Sequence, residues 1–328
     1  MNNNDVIMSC RIRLARNIHG IPFVGKFSQQ QAEEVIQSVS KALDDGNGYN
    51  LLRMSELTQM QRSQLVERHL CSVELTKSPY GALLVDETER ISIMLNEEDH
   101  IRVQAILKGL DVSQAYELAS RVDVQIESGI EYAFDSQFGY LTACPTNVGT
   151  GMRASAMVHL AGLAITGQAE GLLMNVTKLG CAVRGFYGEG SGAPGNIYQI
   201  SNQHTLGLTE EDIIKSLNDI IGQIAEREMD IRQALSMKNA IELSDIANRS
   251  VGACRYARKL SYDEAMQHIS NLKLGASLDL SPVPSDTADE MLISCQPASL
   301  CINAGRRLGA EEEMVARAAM TRDILKDF

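Results

Sequence analysis

Cys144-Pro-Thr-Asn-Val-Gly-Thr-Gly-Met-Arg153 places a thiol, a turn of small residues and an arginine within one short run. Asn96-Glu-Glu-Asp-His-Ile-Arg102 lies upstream of it, and Arg184-Gly-Phe-Tyr-Gly-Glu189 lies downstream. Near the start sits Ser9-Cys-Arg11-Ile-Arg13-Leu-Ala-Arg16. Each segment sets arginine beside an acid, a thiol or glycines. Arginine carries a permanent charge on a planar fork that pairs with phosphate and carboxylate oxygens. Four such segments in one chain point to a built anion site.

The rest of the composition supports a local site rather than a basic surface. The chain has 328 residues, 44% of them hydrophobic, and a net charge of −12. That charge argues against direct binding of nucleic acid. No apolar run is long enough to span a bilayer, so no membrane association is expected. No signal peptide is visible at the start. Seven cysteines are scattered singly, without a Cys-x-x-Cys pair. A reducing cytoplasm is therefore the expected compartment, and neither a disulfide framework nor a zinc ribbon is expected.

Working outward, the pattern predicts an α+β first part. Gln29 to Leu43 and Asp111 to Ile126 read as amphipathic helices. Ala82-Leu-Leu-Val and Ile91-Ser-Ile-Met-Leu read as a hairpin whose second strand runs into the acids Glu97 and Glu98. Tyr140-Leu-Thr-Ala-Cys144 reads as a short strand, and Asn196 to Ser201 as another. Arg153 to Ile165, rich in alanine, reads as an apolar helix opened by Gly149-Thr-Gly151. A cysteine near such a helix start and several arginines should have a lowered pKa. Thr209 to Asp212 reads as a helix N-terminal box, followed by the stripe Ile213, Leu217, Ile220, Ile224, Ile231 and Leu235. Strand signals fade beyond about residue 235. The boundary is placed at 237/238, with 1–237 as the α+β domain and 238–328 as a small helical domain.

In this order the four segments resemble the ATP:guanido phosphotransferases, which transfer the γ-phosphoryl group of ATP to a guanidinium nitrogen. The resemblance implies a phosphagen-kinase-like catalytic domain, an antiparallel sheet flanked by helices, with ATP and Mg²⁺ as its ligands. It assigns Arg11, Arg13, Arg102, Arg153 and Arg184 to a clamp on the ATP phosphates. Arg16 stands between clamp and structural pairing. His69, in Val66-Glu-Arg-His-Leu70, matches a position near the nucleotide base. Glu98 corresponds to the acid that holds the guanidinium and acts as base. Glu189 is the second substrate carboxylate, on a loop made closable by Gly185, Gly188, Gly190 and Gly192. Glu97 would approach the metal through water. Cys144, as a thiolate, would orient the guanidinium. Cys10 stands where the family usually has serine.

Two features narrow the resemblance to the McsB-type bacterial protein-arginine kinases. The helical domain that precedes the Ser-x-Arg-x-Arg segment in small-molecule members is expected to be missing here, which opens the guanidinium pocket to a protein side chain. About 120 residues follow the segment ending at Gly207. In that branch the C-terminal helical domain mediates a homodimer and binds phosphoarginine. The kinase marks proteins for a Clp unfoldase–protease, acts on a heat-shock repressor and works with a zinc-binding activator. The branch's Arg-Asp-x-x-Arg-Ala motif is altered: Glu313 and Met314 replace its Arg-Asp pair, while Arg317 is kept. The alternatives are a small-molecule guanidino kinase and a phosphoarginine-binding pseudokinase adaptor.

Overall fold

The computed structural model describes residues 5–43, 48–186 and 192–328. Its centre is an eight-stranded, wholly antiparallel sheet. The strands are β1 (Ile7–Arg16), β2 (Asn50–Arg53), β3 (Ala82–Val85), β4 (Ile91–Leu95), β5 (Ile101–Lys108), β8 (Met152–His159), β9 (Cys181–Arg184) and β10 (Ile197–Asn202). Their order is β2-β3-β4-β5-β1-β8-β10-β9. A separate two-stranded ribbon, β6 (Phe134–Asp135) with β7 (Gly139–Tyr140), borders the Cys144 loop.

The register sorts side chains by chemistry. Successive residues of a strand point to opposite faces. Cys10, Ile12 and Leu14 of β1 lie beside Ala156, Ala154 and Met152 of β8, and beside Leu107, Ala105 and Val103 of β5. This apolar face forms one core with α1 (Gln29–Ala42), α4 (Val112–Glu127) and the first half of α7 (Glu210–Tyr256). Arg11 and Arg13 therefore point the other way. Ser28 opens α1 through a capping box with Gln31, and Asp111 caps α4.

Two expectations need correction. Arg153 to Ile165 is not a helix. Met152–His159 is the strand β8, held on both edges by β1 and β10, and only Ala161–Ile165 is helical (α5). Sheet pairing overrides the helix propensity of the alanines, which here serve as thin inward residues beneath the helices. Tyr140 to Cys144 is also not a strand beyond Tyr140. Isolated bonds satisfy its backbone instead: the Leu141 N–H donates to the Ala133 carbonyl (2.9 Å), Asn17 donates to the Leu141 carbonyl (3.0 Å), and the Ala143 N–H donates to Asp99 (2.7 Å).

The remaining helices are α2 (Gln59–Glu67), α3 (Val73–Lys77), α6 (Ala169–Lys178), α8 (Tyr262–Ser277), α9 (Ser285–Ser294), α10 (Pro297–Asn303) and α11 (Ala310–Ile324). The 47-residue α7 crosses the expected boundary, with non-helical backbone at Asn239. The C-terminal helices pack directly on the catalytic sheet. Met266, Ile269, Met291 and Leu292 share a core with Phe186 and Ile197, and Met8 and Met157 pack against it. A buried ion pair fastens the same junction. Arg232 donates to Glu228 (2.6 Å), to the His159 carbonyl (2.8 Å) and to Ser277 (3.0 Å). Glu228 in turn accepts from the Gly162 and Leu163 N–H groups. Losing one partner of such a pair costs about 3–5 kcal/mol, because the other charge stays buried.

Candidate active site

The polar face of the sheet is cationic. Arg11 and Arg13 come from β1, Arg102 from β5 opposite Ala15, Arg153 from β8 opposite Arg13, and Arg184 from β9 opposite Gln199. All five line one cleft of about 1110 Å³, with His69, Glu97, Glu98 and Cys144 on its walls. Every sequence-predicted site residue among those described is brought to this one place. Glu189 lies outside the described residues, as do Gly188 and Gly190.

The guanidinium groups oppose one another. Arg11 is pushed down to about 10, first by burial and then by Arg153, Arg102 and Arg184. Arg13 falls well below its ordinary value through burial, then Arg11, Arg102 and Arg153, against an opposing pull from Glu97. Such crowding costs the empty protein free energy and is relieved when a polyanion enters. Neutral partners hold the forks in place. Arg11 donates to Gln199 (2.9 Å) and Ser155 (3.4 Å), and Arg153 donates to Ser201 (2.8 Å). Gln199 and Ser201 were not singled out from the sequence. The alternation of β10 was the available signal, since it puts both on the same face as the arginines.

The two acids take different places. The turn after β4 starts at Asn96, whose φ is 60° and whose side chain donates to the Ala32 and Tyr80 carbonyls. Glu97 points inward. It meets Arg102 at 2.5 Å and accepts from Ser72 at 2.5 Å, with its side chain 3% exposed. Glu98 stands at the rim, 45% exposed, 3.0 Å from Arg102. Asp99, fully buried, accepts from both Asn17 (2.7 Å) and the Ala143 N–H, and so joins the acid turn to the Cys144 loop. His100 is structural: its Nδ1 accepts from the Ile18 N–H, and its Nε2 donates to the Pro22 carbonyl.

Cys144 is half-buried and precedes a single 3₁₀ turn, Pro145–Asn147, that leads into β8 rather than into a helix. The helix start expected beside this thiol is therefore absent. The loop is held from several sides. Thr205 donates to the Thr146 and Val148 carbonyls (2.9 and 2.7 Å). Gly149 (φ +113°) passes so close to Thr205 that a Cβ there would lie 2.8 Å from its carbonyl oxygen. Arg16 is structural. Its guanidinium pairs with Asp123 (2.7 Å), donates to the Thr150 carbonyl (3.0 Å) and lies 3.5 Å over the Tyr140 ring. Cys10 lies on the apolar face. Cys71 also lines the cleft, but burial, with Glu97 beside it, pushes its thiol up to about 12.

Cys144→Ala is expected to slow turnover about a hundred-fold, as loss of an orienting contact does. Cys301→Ala, in the C-terminal core, should leave turnover within about two-fold. Equal tolerance of both replacements in a steady-state assay removes the thiol from the reaction.

A second cleft of about 490 Å³ adjoins the first and shares Arg11, His69, Phe186 and Gln199 with it. His69 packs edge-on to Phe186 at 5.2 Å. Burial, then Arg11, lowers its pKa to about 4, so the ring is neutral at physiological pH.

The chain is similar to known proteins in both sequence and fold. Residues 30–231 match the family model for the ATP:guanido phosphotransferase C-terminal catalytic domain, and residues 240–328 match that for the protein-arginine kinase McsB C-terminal domain. A protein-arginine kinase of Bacillus thuringiensis subsp. konkukian (strain 97-27) is 42% identical over 330 residues, covering 99% of this chain and 93% of that protein. One from Bacillus cereus (strain G9842) is 43% identical over 329 residues, covering 98% and 93%. The crystal structure of a lombricine kinase superposes with a TM-score of 0.62 at 28% identity, covering 72% of this chain and 70% of that one. The duplicated taurocyamine kinase of Schistosoma mansoni shares the fold, with a TM-score of 0.63 at 23% identity over 78% of this chain and 39% of that one. A sheet face of five crowded arginines, walled by paired glutamates and a thiol, thus sits in a chain that belongs to the ATP:guanido phosphotransferase family.

Proposed function

We propose that this chain transfers the γ-phosphoryl group of ATP to the guanidinium of arginine side chains in proteins. The observation that carries this reading is the gathering of five guanidinium groups in one cleft that also holds two carboxylates. A triphosphate brings dense negative charge to this cluster of guanidinium groups. Because their forks are fixed beforehand, they favour the charge-dense transition state without reorganising. The nucleoside occupies the adjoining, mostly apolar cleft beside His69. The acceptor guanidinium enters over Glu98, the acid left accessible at the rim. Glu98 orients it and takes a proton from the attacking nitrogen as the P–N bond forms and ADP leaves. Glu189 is assigned the opposite side of the acceptor, and Cys144 its orientation.

Among the described residues no group of three or more histidine, cysteine or acidic side chains is placed to hold a metal ion. Mg²⁺ leans on nucleotide phosphates and keeps several waters. When bound it would neutralise phosphate charge, and Glu97 is assigned to meet one of its waters.

The proposal extends to the whole chain. Residues 1–237 are the catalytic domain and 238–328 a helical domain that carries a homodimer contact. Met237 and Ile241, both strongly exposed beside the Asn239 break, supply apolar surface there. Among the described residues no helix is long and apolar enough to cross a membrane. A cytoplasmic location, a zinc-binding activator, a heat-shock repressor and a Clp unfoldase are proposed on the family relationship.

The test is transfer of labelled phosphate from ATP to casein, with free arginine and creatine as competing acceptors. Acid-labile label on arginine residues of the protein supports the reading. Label on the free compounds alone favours a small-molecule kinase, and nucleotide binding without transfer favours an adaptor.

The altered motif leads to a further expectation. Arg317 is buried and already donates to the Cys295 and Leu260 carbonyls (2.8 and 3.0 Å), with Glu313 3.9 Å away. A phosphate brought there meets a carboxylate and a committed guanidinium, a loss on the order of 2–3 kcal/mol. Calorimetry should therefore find no micromolar binding of phosphoarginine. The pair Glu313→Arg with Met314→Asp should restore it. Micromolar binding by the unaltered chain places the site on other residues.

A further inference from the structure

Glu67 ends α2 and is buried, yet it takes no part in the phosphate cleft. Its two oxygens accept from the Ala298 N–H (2.6 Å), the Ser299 N–H (2.8 Å) and the Ser299 hydroxyl (3.1 Å), all at the start of α10. Three donors from one backbone turn hold this carboxylate in a single orientation. Two residues later the chain reverses at His69, where φ is 59°. The Leu70 N–H reaches back to the Leu65 carbonyl (2.9 Å), and the His69 carbonyl accepts from Gln104 (2.9 Å). The turn that carries His69 is thus gripped between the sheet and α10.

The smaller cleft shows what this grip sets. Its floor is Met8, Ile106 and Met157 of the sheet, one wall is the Glu67–Leu70 turn, and the facing wall is Leu292 and Ile293 of α9. The C-terminal helices therefore complete the end of the cleft farthest from Glu98. We infer that Glu67 is a positioning residue for the nucleotide, docking the C-terminal helices so that α9 walls the nucleoside end of the ATP site. This rests on the ATP reading above. The C-terminal region is then part of the nucleotide site, and whatever moves α9 and α10 changes ATP affinity before it changes the chemical step.

Glu67→Gln replaces one acceptor oxygen by an amide that faces a backbone N–H. Ile293→Ser removes wall surface at a residue 55% exposed, where folding is little affected. In the full chain both should raise the Kd and KM for ATP about ten-fold, with kcat at saturating ATP within about two-fold. Tripolyphosphate, which engages only the arginines, should bind both variants as it binds the parent. Unchanged ATP affinity in both variants overturns the inference, and so does an equal loss for ATP and tripolyphosphate, which marks general loosening. Parent protein that binds neither compound refutes the ATP reading, and this inference with it.

Discussion

Glu98→Gln is expected to abolish transfer, with turnover down by about three orders of magnitude and ATP affinity within about two-fold of the parent. The change keeps size and shape but removes the charge proposed to hold a guanidinium and the base proposed to take its proton. The site should survive it, because Glu98 is not what builds the turn. Asn96 and Asp99 anchor the backbone, Glu97 holds Arg102 from the buried side, and among the described residues the Glu98 side chain reaches only Arg102. Turnover assays with a protein acceptor, paired with nucleotide titration, separate the two effects. Near-normal turnover would take Glu98 out of the mechanism. Loss of ATP affinity in proportion to turnover would make it a phosphate-site residue instead.

Arg13→Met should act in opposite directions on stability and activity. Arg13 lies at the middle of the cationic face, opposite Arg153 in the register. Its pKa is lowered in the folded state, so the folded protein binds this proton less readily than the unfolded chain does. Arginine keeps its charge at pH 7, and the depressed folded value means that this charge disfavours folding. Removing it should raise the melting temperature of the nucleotide-free protein by a few degrees. The same change removes a preorganised charge from the phosphate site, and kcat/KM should fall about a thousand-fold. The stabilisation that ATP gives in a thermal melt should shrink as well. A lower melting temperature without nucleotide, with turnover intact, would mean that Arg13 serves the fold rather than the phosphates.

Legibility of the sequence followed the range of the interactions. Helix α1 and the β3–β4 hairpin were readable because their apolar spacing and polar turn are local. The segment now seen as β8 was misread because alanine and serine say helix locally, while pairing with positions 138–151 residues upstream and 38–46 downstream makes it a strand. That Arg11, Arg13, Arg102, Arg153, Arg184, Glu98 and Cys144 belong together was legible through family resemblance, and they line one cleft; a single lone arginine or glutamate could not have supplied that. Arg16 shows the opposite case. It shares a segment with Arg11 and Arg13, yet its partners Asp123 and Tyr140 come from distant stretches that carry no local signal. Glu67 was equally silent, because its contacts lie 231 and 232 residues away.

The strand order also governs when the enzyme can first exist during synthesis. Strand β1 leaves the ribosome early, but both its neighbours come much later: β5 ends at Lys108 and β8 at His159. Gln199, which steadies Arg11, is made later still, and the α9 wall only near Ile293. Pairings of such long sequence separation form slowly and late. A nascent chain can therefore carry Arg11 and Arg13 for most of its translation without forming a phosphate clamp. Fragments that end before β8 should be inert towards ATP, which keeps a kinase aimed at other polypeptides silent until the strands that complete its cleft have been made.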